Sequence, residues 1–179
     1  MQEPFFASRH TMERGDPVTL LPYDAAAAVR YAHRWAFGRN PRYYDYEALG
    51  GDCTSFASQC LYAGSHIMDF TPTFGWYYID ANNKAPAWTG VPYLYNYLTR
   101  PRAAPGPATR EVTADAVVPG DVVQLSFDGT RWAHSPVVVA VGTAEGILIA
   151  AHSADADNRP LASYDYKRAR FLHIVGVWG

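Results

Sequence analysis

The sequence predicts an α+β domain in which helices from the first half pack on an antiparallel sheet formed by the second half. Three observations support this fold class. A length of 179 residues is typical of one domain with one continuous core. Apolar residues recur at helical spacing in the first half, whereas short β-branched runs separated by turns dominate the second half. Helices followed by strands favour an α+β arrangement.

The first element is an amphipathic helix from Asp24 to Phe37. Residues 1–22 are rich in polar and turn residues, so we expect an irregular lead-in followed by a single domain over residues 23–179. Asp24 is a suitable N-cap, and the apolar positions that follow it fall on one helical face. Gly38 and the Asn40-Pro41 pair are expected to stop this helix.

The second helix is predicted from Asp52 to Ala63. Asp52 is its candidate N-cap, and Gly64 has the position of a C-terminal glycine. Residues 70–98 are dense in aromatic side chains and predict a partly helical insertion. Residues 101–110 are rich in Pro, Ala and Arg, a composition typical of an exposed loop between the two halves.

The second half is predicted to form the sheet. A run of apolar and β-branched residues follows Pro119-Gly120, and the turn Asp128-Gly129-Thr130 ends it. Similar runs recur up to the end of the chain. The predicted strands are Asp121–Phe127, His134–Val141, Ile147–His152 and Phe171–Trp178.

Composition argues against several classes of partner. The net charge is −2 and the densest basic run, residues 167–170, is short, so nothing favours a nucleic-acid or membrane-surface partner. The longest apolar run, residues 136–141, is far below the roughly 20 residues of a membrane span. The first residues lack the basic start and apolar stretch of a signal peptide. We therefore expect a cytoplasmic protein, unless it is exported by another route or excerpted from a longer chain; its oligomeric state is left open.

The two cysteines are predicted to be free thiols. Cys53 and Cys60 are seven residues apart, which on one helix separates their Cα atoms by about 10 Å. A disulfide requires less than about 7 Å. Any function of these residues must therefore come from thiol reactivity or packing.

Cys53 is the candidate nucleophile. It begins a predicted helix, where unpaired N–H groups and the positive end of the helix dipole favour a thiolate and can stabilise a developing oxyanion. Gly50 and Gly51, before Asp52, allow a tight turn and close approach of backbone to a substrate. The alternative is that Cys53 is a small buried hydrophobe, and we favour that alternative for Cys60.

His134 is the candidate base among six histidines, because it opens a strongly apolar strand. If Val141 pairs with Ile147 across a five-residue loop, His152 lies diagonally from His134 on the same sheet face. His152 is then the third catalytic residue, accepting a hydrogen bond from His134. A histidine that merely ends a strand fits the pattern nearly as well, and Asp155 or Asn158 are alternatives for the role.

A metal centre is disfavoured. The chain has no Cys-x-x-Cys or His-x-x-x-His pair of the kind that zinc sites use. The acidic cluster at residues 155–158 lacks the glycine and distal glutamate of a calcium loop. We therefore expect no metal and no cofactor.

Several short motifs occur in a specific order. They are Gly50-Gly51-Asp52-Cys53-Thr54, Ser58-Gln59-Cys60-Leu61, Trp76-Tyr77-Tyr78, Gly120-Asp121-Val122-Val123-Gln124, His134-Ser135 and His152-Ser153. In these motifs, spread over about residues 23 to 160, the chain resembles the putative amidase domain family of bacteria. That family is similar to the papain-like superfamily, which includes NlpC-type endopeptidases and CHAP amidases.

The resemblance implies a papain-like fold, with the nucleophile helix packed on a C-terminal antiparallel sheet. It implies that Cys53, His134 and His152 are catalytic, and that Asp52 and either Tyr43 or Tyr46 line the substrate or oxyanion site. The implied function is a cysteine-dependent hydrolase that cleaves an amide or peptide bond, in a peptidoglycan-type or other peptide substrate, through a thioester. The alternatives are an acyltransferase with the same Cys–His apparatus and a non-catalytic domain that grips a ligand in an aromatic groove.

Overall fold

The protein is described by a computed structural model that covers residues 19–101 and 104–179. Four helices and a seven-stranded antiparallel sheet make up these ranges, which confirms the α+β class. The helices are α1 (Ala25–Trp35), α2 (Cys53–Ser65), α3 (Pro86–Thr89) and α4 (Val91–Leu98). The strands are β1 (Leu20–Leu21), β2 (Gly106–Val112), β3 (Val122–Ser126), β4 (Val137–Thr143), β5 (Gly146–Ala151), β6 (Ala156–Pro160) and β7 (Arg168–Trp178).

The long strand β7 organises the sheet. The strand order is β1-β7-β3-β4-β5-β6. Strand β2 stands outside this order and also pairs with β7. Strand β4 follows β3 in this order, and β5 and β6 continue it as an antiparallel series. The longest helix, α2, has 13 residues, and no helix of the described residues is long and apolar enough to cross a membrane.

The two faces of the sheet bury different sets of side chains. Along β4, Val137 and Val139 join a large core with helices α1 and α2, whereas Val138 between them joins a smaller core on the opposite face. Strand side chains alternate in direction, which explains this division. Helix α2 is buried on almost all sides, including Thr54 and Gln59, which carry polar side chains.

Both predicted helices form, with corrected ends. The side chain of Asp24 caps α1 by accepting from the Ala27 N–H at 2.8 Å. Helix α2 continues past Gly64 to Ser65 and ends at His66, whose φ of 56° is left-handed. Gly64 is needed for packing instead, because a Cβ there would lie 2.4 Å from the Tyr23 ring.

The structure differs from the predicted elements in three segments of the described ranges. Leu20–Leu21 pairs with β7, although residues 1–18 lie outside the described ranges. The predicted loop at 101–110 forms strand β2 from Gly106 onwards, because β7 supplies it with a pairing partner that local composition does not reveal. Strand β6, which was not among the predicted strands, follows His152 and pairs with β5.

The hairpin of β4 and β5 has a different register from the predicted one. The prediction placed Ala151 opposite Val137, but Val137 pairs with Ala150. A tighter turn, closed by Thr143 and Gly146, and irregular pairing along the hairpin produce this one-residue shift. Because side chains alternate, a shift of one residue moves a side chain to the other face of the sheet.

Candidate active site

Cys53 is the first residue of α2 and is only 6% exposed. Asp52 occupies the N-cap position, but its side chain does not cap the helix. An α-helix leaves its first N–H groups without intrahelical partners, so the N–H groups of the first turn of α2 remain available near the thiol. The Cys53 sulfur lies 3.8 Å from the Thr54 hydroxyl oxygen. Cys53 and Cys60 are both free thiols, as predicted.

His134 lies three residues before β4, in an antiparallel bridge with Leu125. Its side chain is on the sheet face of the smaller core, with its ring centre 5.5 Å from that of Tyr164. The ring is 5% exposed, and its Nε2 atom is buried without a hydrogen-bond partner among the described residues. The Tyr164 hydroxyl is also buried without a hydrogen-bond partner among the described residues.

Ser135 links the surroundings of the thiol to those of His134. Its hydroxyl accepts a hydrogen bond from Thr54 at 3.2 Å, on the helix side of the sheet. Its backbone N–H interacts with the Cys53 thiol. No hydrogen bond joins this thiol to the His134 ring among the described residues.

The hydrogen bond expected between His152 and His134 is absent. The shifted register turns His152 to the helix side, where its ring stacks on Phe56 with centres 4.1 Å apart. Its Nδ1 lies 2.6 Å from an Asp52 carboxylate oxygen, and its Nε2 lies 2.8 Å from the Trp35 carbonyl. Both ring nitrogens of His152 are therefore engaged with these oxygen atoms, and neither is free to accept from His134.

Asp52 and His152 form a fully buried pair that fixes the start of α2. The second carboxylate oxygen of Asp52 accepts from the Tyr46 N–H at 3.1 Å, and the Asp52 N–H donates to Ser153 at 2.9 Å. Arg39 approaches the same carboxylate with a separation of 3.7 Å. The carboxylate is therefore saturated with structural partners and does not face a substrate.

The two alternatives for the third residue do not reach His134 either. Asp155 accepts two hydrogen bonds from the guanidinium of Arg39, at 2.9 and 3.0 Å. Asn158 lies within β6 with a left-handed φ of 51°. Within the described ranges, the structure supplies no hydrogen-bond partner for the Nε2 atom of His134.

The two candidate tyrosines have different environments. Tyr43 is part of the main core, stacked on Trp88 at 5.7 Å, so it supports the fold instead of lining a site. Tyr46 donates its hydroxyl hydrogen bond to the Ala81 carbonyl at 3.1 Å. It borders an open cavity beside Gly50 and Gly51.

A buried polar chain behind the thiol was missed from the sequence. The Gln124 amide nitrogen donates to Ser135 at 3.2 Å and to the Val91 carbonyl at 2.9 Å, and its oxygen accepts from Arg170 Nε at 2.9 Å. Arg170 in turn lies over the Tyr95 ring, 3.4 Å from its centre. Gln124 belongs to the Gly120–Gln124 motif, which was a usable signal, but nothing in the sequence pairs it with Arg170.

The comparisons with known proteins agree with these motifs. The family model described as "Putative amidase domain" matches residues 22–175. The chain belongs to this amidase domain family. It is 32% identical over 162 residues to the uncharacterized protein YhbB of Bacillus subtilis (strain 168), an alignment that covers 86% of the chain and 50% of YhbB. The chain thus spans about half the length of this curated relative, and no solved structure matches it.

Burial controls the protonation of the two central groups in this amidase-family domain. It raises the pKa of the Cys53 thiol, and the hydrogen bonds from the Ser135 N–H and from Thr54 oppose part of that rise. Burial also lowers the pKa of His134 to about 4, with a smaller contribution from the positive charge of Arg159. At neutral pH the site therefore holds a thiol beside a neutral imidazole, in contrast to the thiolate expected from the helix start.

No cluster of three or more metal-ligating side chains that could hold an ion occurs within residues 19–101 and 104–179.

Tyr164, which the sequence does not single out, connects the two candidate residues electrostatically. Burial raises its pKa, and the nearby Cys53 adds to that rise. Tyr164 is therefore close to both Cys53 and His134.

Proposed function

We propose that this amidase-family domain is a cysteine-dependent hydrolase of papain-like type. Cys53 is the nucleophile, His134 is its base, and the substrate is an amide or peptide bond. The observation that carries the proposal is the position of a buried thiol at the start of α2. Hydrogen bonds through Thr54 and Ser135 link it to the segment before β4 that contains His134. A structural cysteine needs none of these polar neighbours.

The neutral state of both groups defines the first chemical step. With the Cys53 pKa raised and the His134 pKa near 4, the free enzyme holds S–H and an unprotonated imidazole at neutral pH. His134 accepts the thiol proton as sulfur attacks the carbonyl carbon, and then gives that proton to the leaving amine. A thioester on Cys53 remains, and water attacks it with His134 again as the base, which releases the acid and the free thiol.

Backbone N–H groups are the candidates for stabilising the tetrahedral oxyanion. The first-turn N–H groups of α2 lie along the helix axis toward its N-terminus, where Cys53 is the first helical residue, and they lack intrahelical acceptors. The Asp52 carboxylate, which would compete for them as a cap, is held by His152 and by the Tyr46 N–H. The pair of Asp52 and His152 thus acts by fixing the position of the helix start, in place of the triad role first predicted for His152.

A paired substitution tests the nucleophile. Cys53→Ala should lower the rate of hydrolysis of a generic activated amide, such as a peptide p-nitroanilide, by about a thousandfold or more. Cys60→Ala is the matched control, because Cys60 lies fully buried in the core and away from the polar neighbours of Cys53. Retention of hydrolysis by Cys53→Ala would overturn the proposal. Added amine nucleophiles that divert the acyl group into new amide would identify an acyltransferase instead.

A further inference from the structure

An open cavity of about 500 Å³ adjoins the start of the nucleophile helix. Its walls include two aromatic residues, two glycines and one cation, namely Tyr44, Tyr46, Gly50, Gly51 and Lys84. Gly51 is two residues before Cys53, so their Cα atoms are at most about 7 Å apart. The cavity therefore borders the chain segment that leads to Cys53 and ends two residues before it.

The backbone at the cavity wall is bare. Gly50 has a φ of 115°, and a Cβ built on it would meet no heavy atom within 4 Å. A substrate can therefore contact the main chain here along the segment that leads to Cys53. Gly51 is closed on its other side, where a Cβ would approach the Ser153 hydroxyl to 2.9 Å.

Lys84 gives the cavity a positive charge that the protein does not neutralise. Its Nζ donates to the Ala81 carbonyl at 3.0 Å and lies 4.7 Å from the centre of the Tyr46 ring. None of the ion pairs within residues 19–101 and 104–179 includes Lys84. Half-buried cations are stabilised by a hydrogen-bonded anion, which a ligand can supply.

The neighbouring carboxylates are already engaged. Asp80 accepts from the N–H groups of Asn82 and Asn83 at 2.8 and 2.9 Å. Glu47 accepts from the Ser153 hydroxyl at 2.9 Å. These partners hold the acidic side chains in their own loops and leave the ammonium group of Lys84 to face the cavity.

We propose that this cavity is a substrate subsite that binds a carboxylate, with Lys84 as the recognising cation. It selects acidic amides or peptides whose free carboxylate lies within one or two residue lengths of the scissile carbonyl. This inference rests on the proposed function, because it assumes that Cys53 attacks the bound substrate. The aromatic walls from Tyr44 and Tyr46 accommodate the apolar part of the same group.

Charge-matched alkylating reagents test the subsite. Bromoacetyl-β-alanine and its carboxamide differ only in the negative charge, and mass spectrometry measures the rate constant of Cys53 alkylation by each. The rates at which the two reagents alkylate a free thiol in solution serve as the reference. Relative to that reference, Cys53 of the parent should react about fivefold faster with the carboxylate, and Lys84→Gln should remove this preference. Arg110→Gln, an exposed position on β2, controls for the change in net charge and should keep it.

A binding measurement separates failure of the subsite from failure of the proposed function. N-acetyl-β-alanine, which cannot react, should shift the backbone amide NMR signals of Gly50, Gly51 and Lys84 in the parent but not in Lys84→Gln. The corresponding carboxamide should bind at least about fivefold more weakly. Equal binding of the two probes, or binding elsewhere, would overturn the subsite. Saturable carboxylate binding without any alkylation of Cys53 would support the subsite and contradict the nucleophile.

Discussion

The buried neutral imidazole of His134 should make the domain lose stability in mild acid. Burial lowers its pKa from 6.5 to about 4 in the folded protein. Between these two values the unfolded chain binds a proton that the folded chain does not, so the free energy of unfolding falls as the pH falls. At 1.36 kcal/mol per pKa unit, the loss relative to pH 8 is about 2 kcal/mol at pH 5 and about 3 kcal/mol at pH 4.

Urea unfolding of the parent and of His134→Gln, at pH 8 and pH 5, measures this contribution. Glutamine keeps a polar side chain at the position and does not titrate. Carboxylates also contribute to the pH dependence, but they do so in both proteins and cancel in the comparison. The parent should therefore lose about 2 kcal/mol more than the variant between the two pH values. Equal losses would mean that the ring is protonated or solvated in the folded state, and would refute the neutral-base mechanism.

Three further predictions concern the frame of the site. His152→Ala should lower the free energy of unfolding by about 3 to 5 kcal/mol, since it leaves the Asp52 carboxylate buried without its imidazole; a small change in thermal denaturation would contradict this. Gly64→Ala should lower the free energy of unfolding by at least about 2 kcal/mol, because the new methyl group would overlap neighbouring atoms. Gly38→Ala, whose new Cβ would have its nearest atom at 3.9 Å, should leave stability almost unchanged. Similar melting temperatures of the two variants would refute this prediction. Thr54→Val should cost about 1 kcal/mol and slow Cys53 acylation, and unchanged acylation would disconnect the hydroxyl from the site.

Local sequence patterns were sufficient to locate the helix that begins at Cys53. Apolar spacing, glycines before Asp52 and a capping residue predict that Cys53 begins a helix, and α2 begins there. The predicted strand began at His134, but the observed strand begins at Val137, after Pro136. These features depend on residues close together in the chain, which is why periodicity reveals them.

Features that depend on pairing between distant segments could not be predicted. The contact between Asp52 and His152 joins residues 100 positions apart, and its formation depends on a register shift in the β4–β5 hairpin. Side chains alternate between the two faces of a sheet, as the prediction assumed. The predicted face of His152 was nevertheless wrong, because the turn closes at Thr143 and Gly146. The protonation of Cys53 was also misjudged, because the helix start favours a thiolate while burial, which no single sequence reports, opposes it.

Direct detection of the acyl-enzyme tests the central claim that Cys53 attacks with His134 as its base. The parent is mixed with p-nitrophenyl acetate near neutral pH and quenched in acid at short times, and peptide mapping by mass spectrometry locates the acetyl group. The account predicts acetylation of Cys53, slowed by about a hundredfold or more in His134→Ala and unchanged in His33→Ala. Acetylation at another residue, or the same rate at Cys53 in His134→Ala, would contradict it.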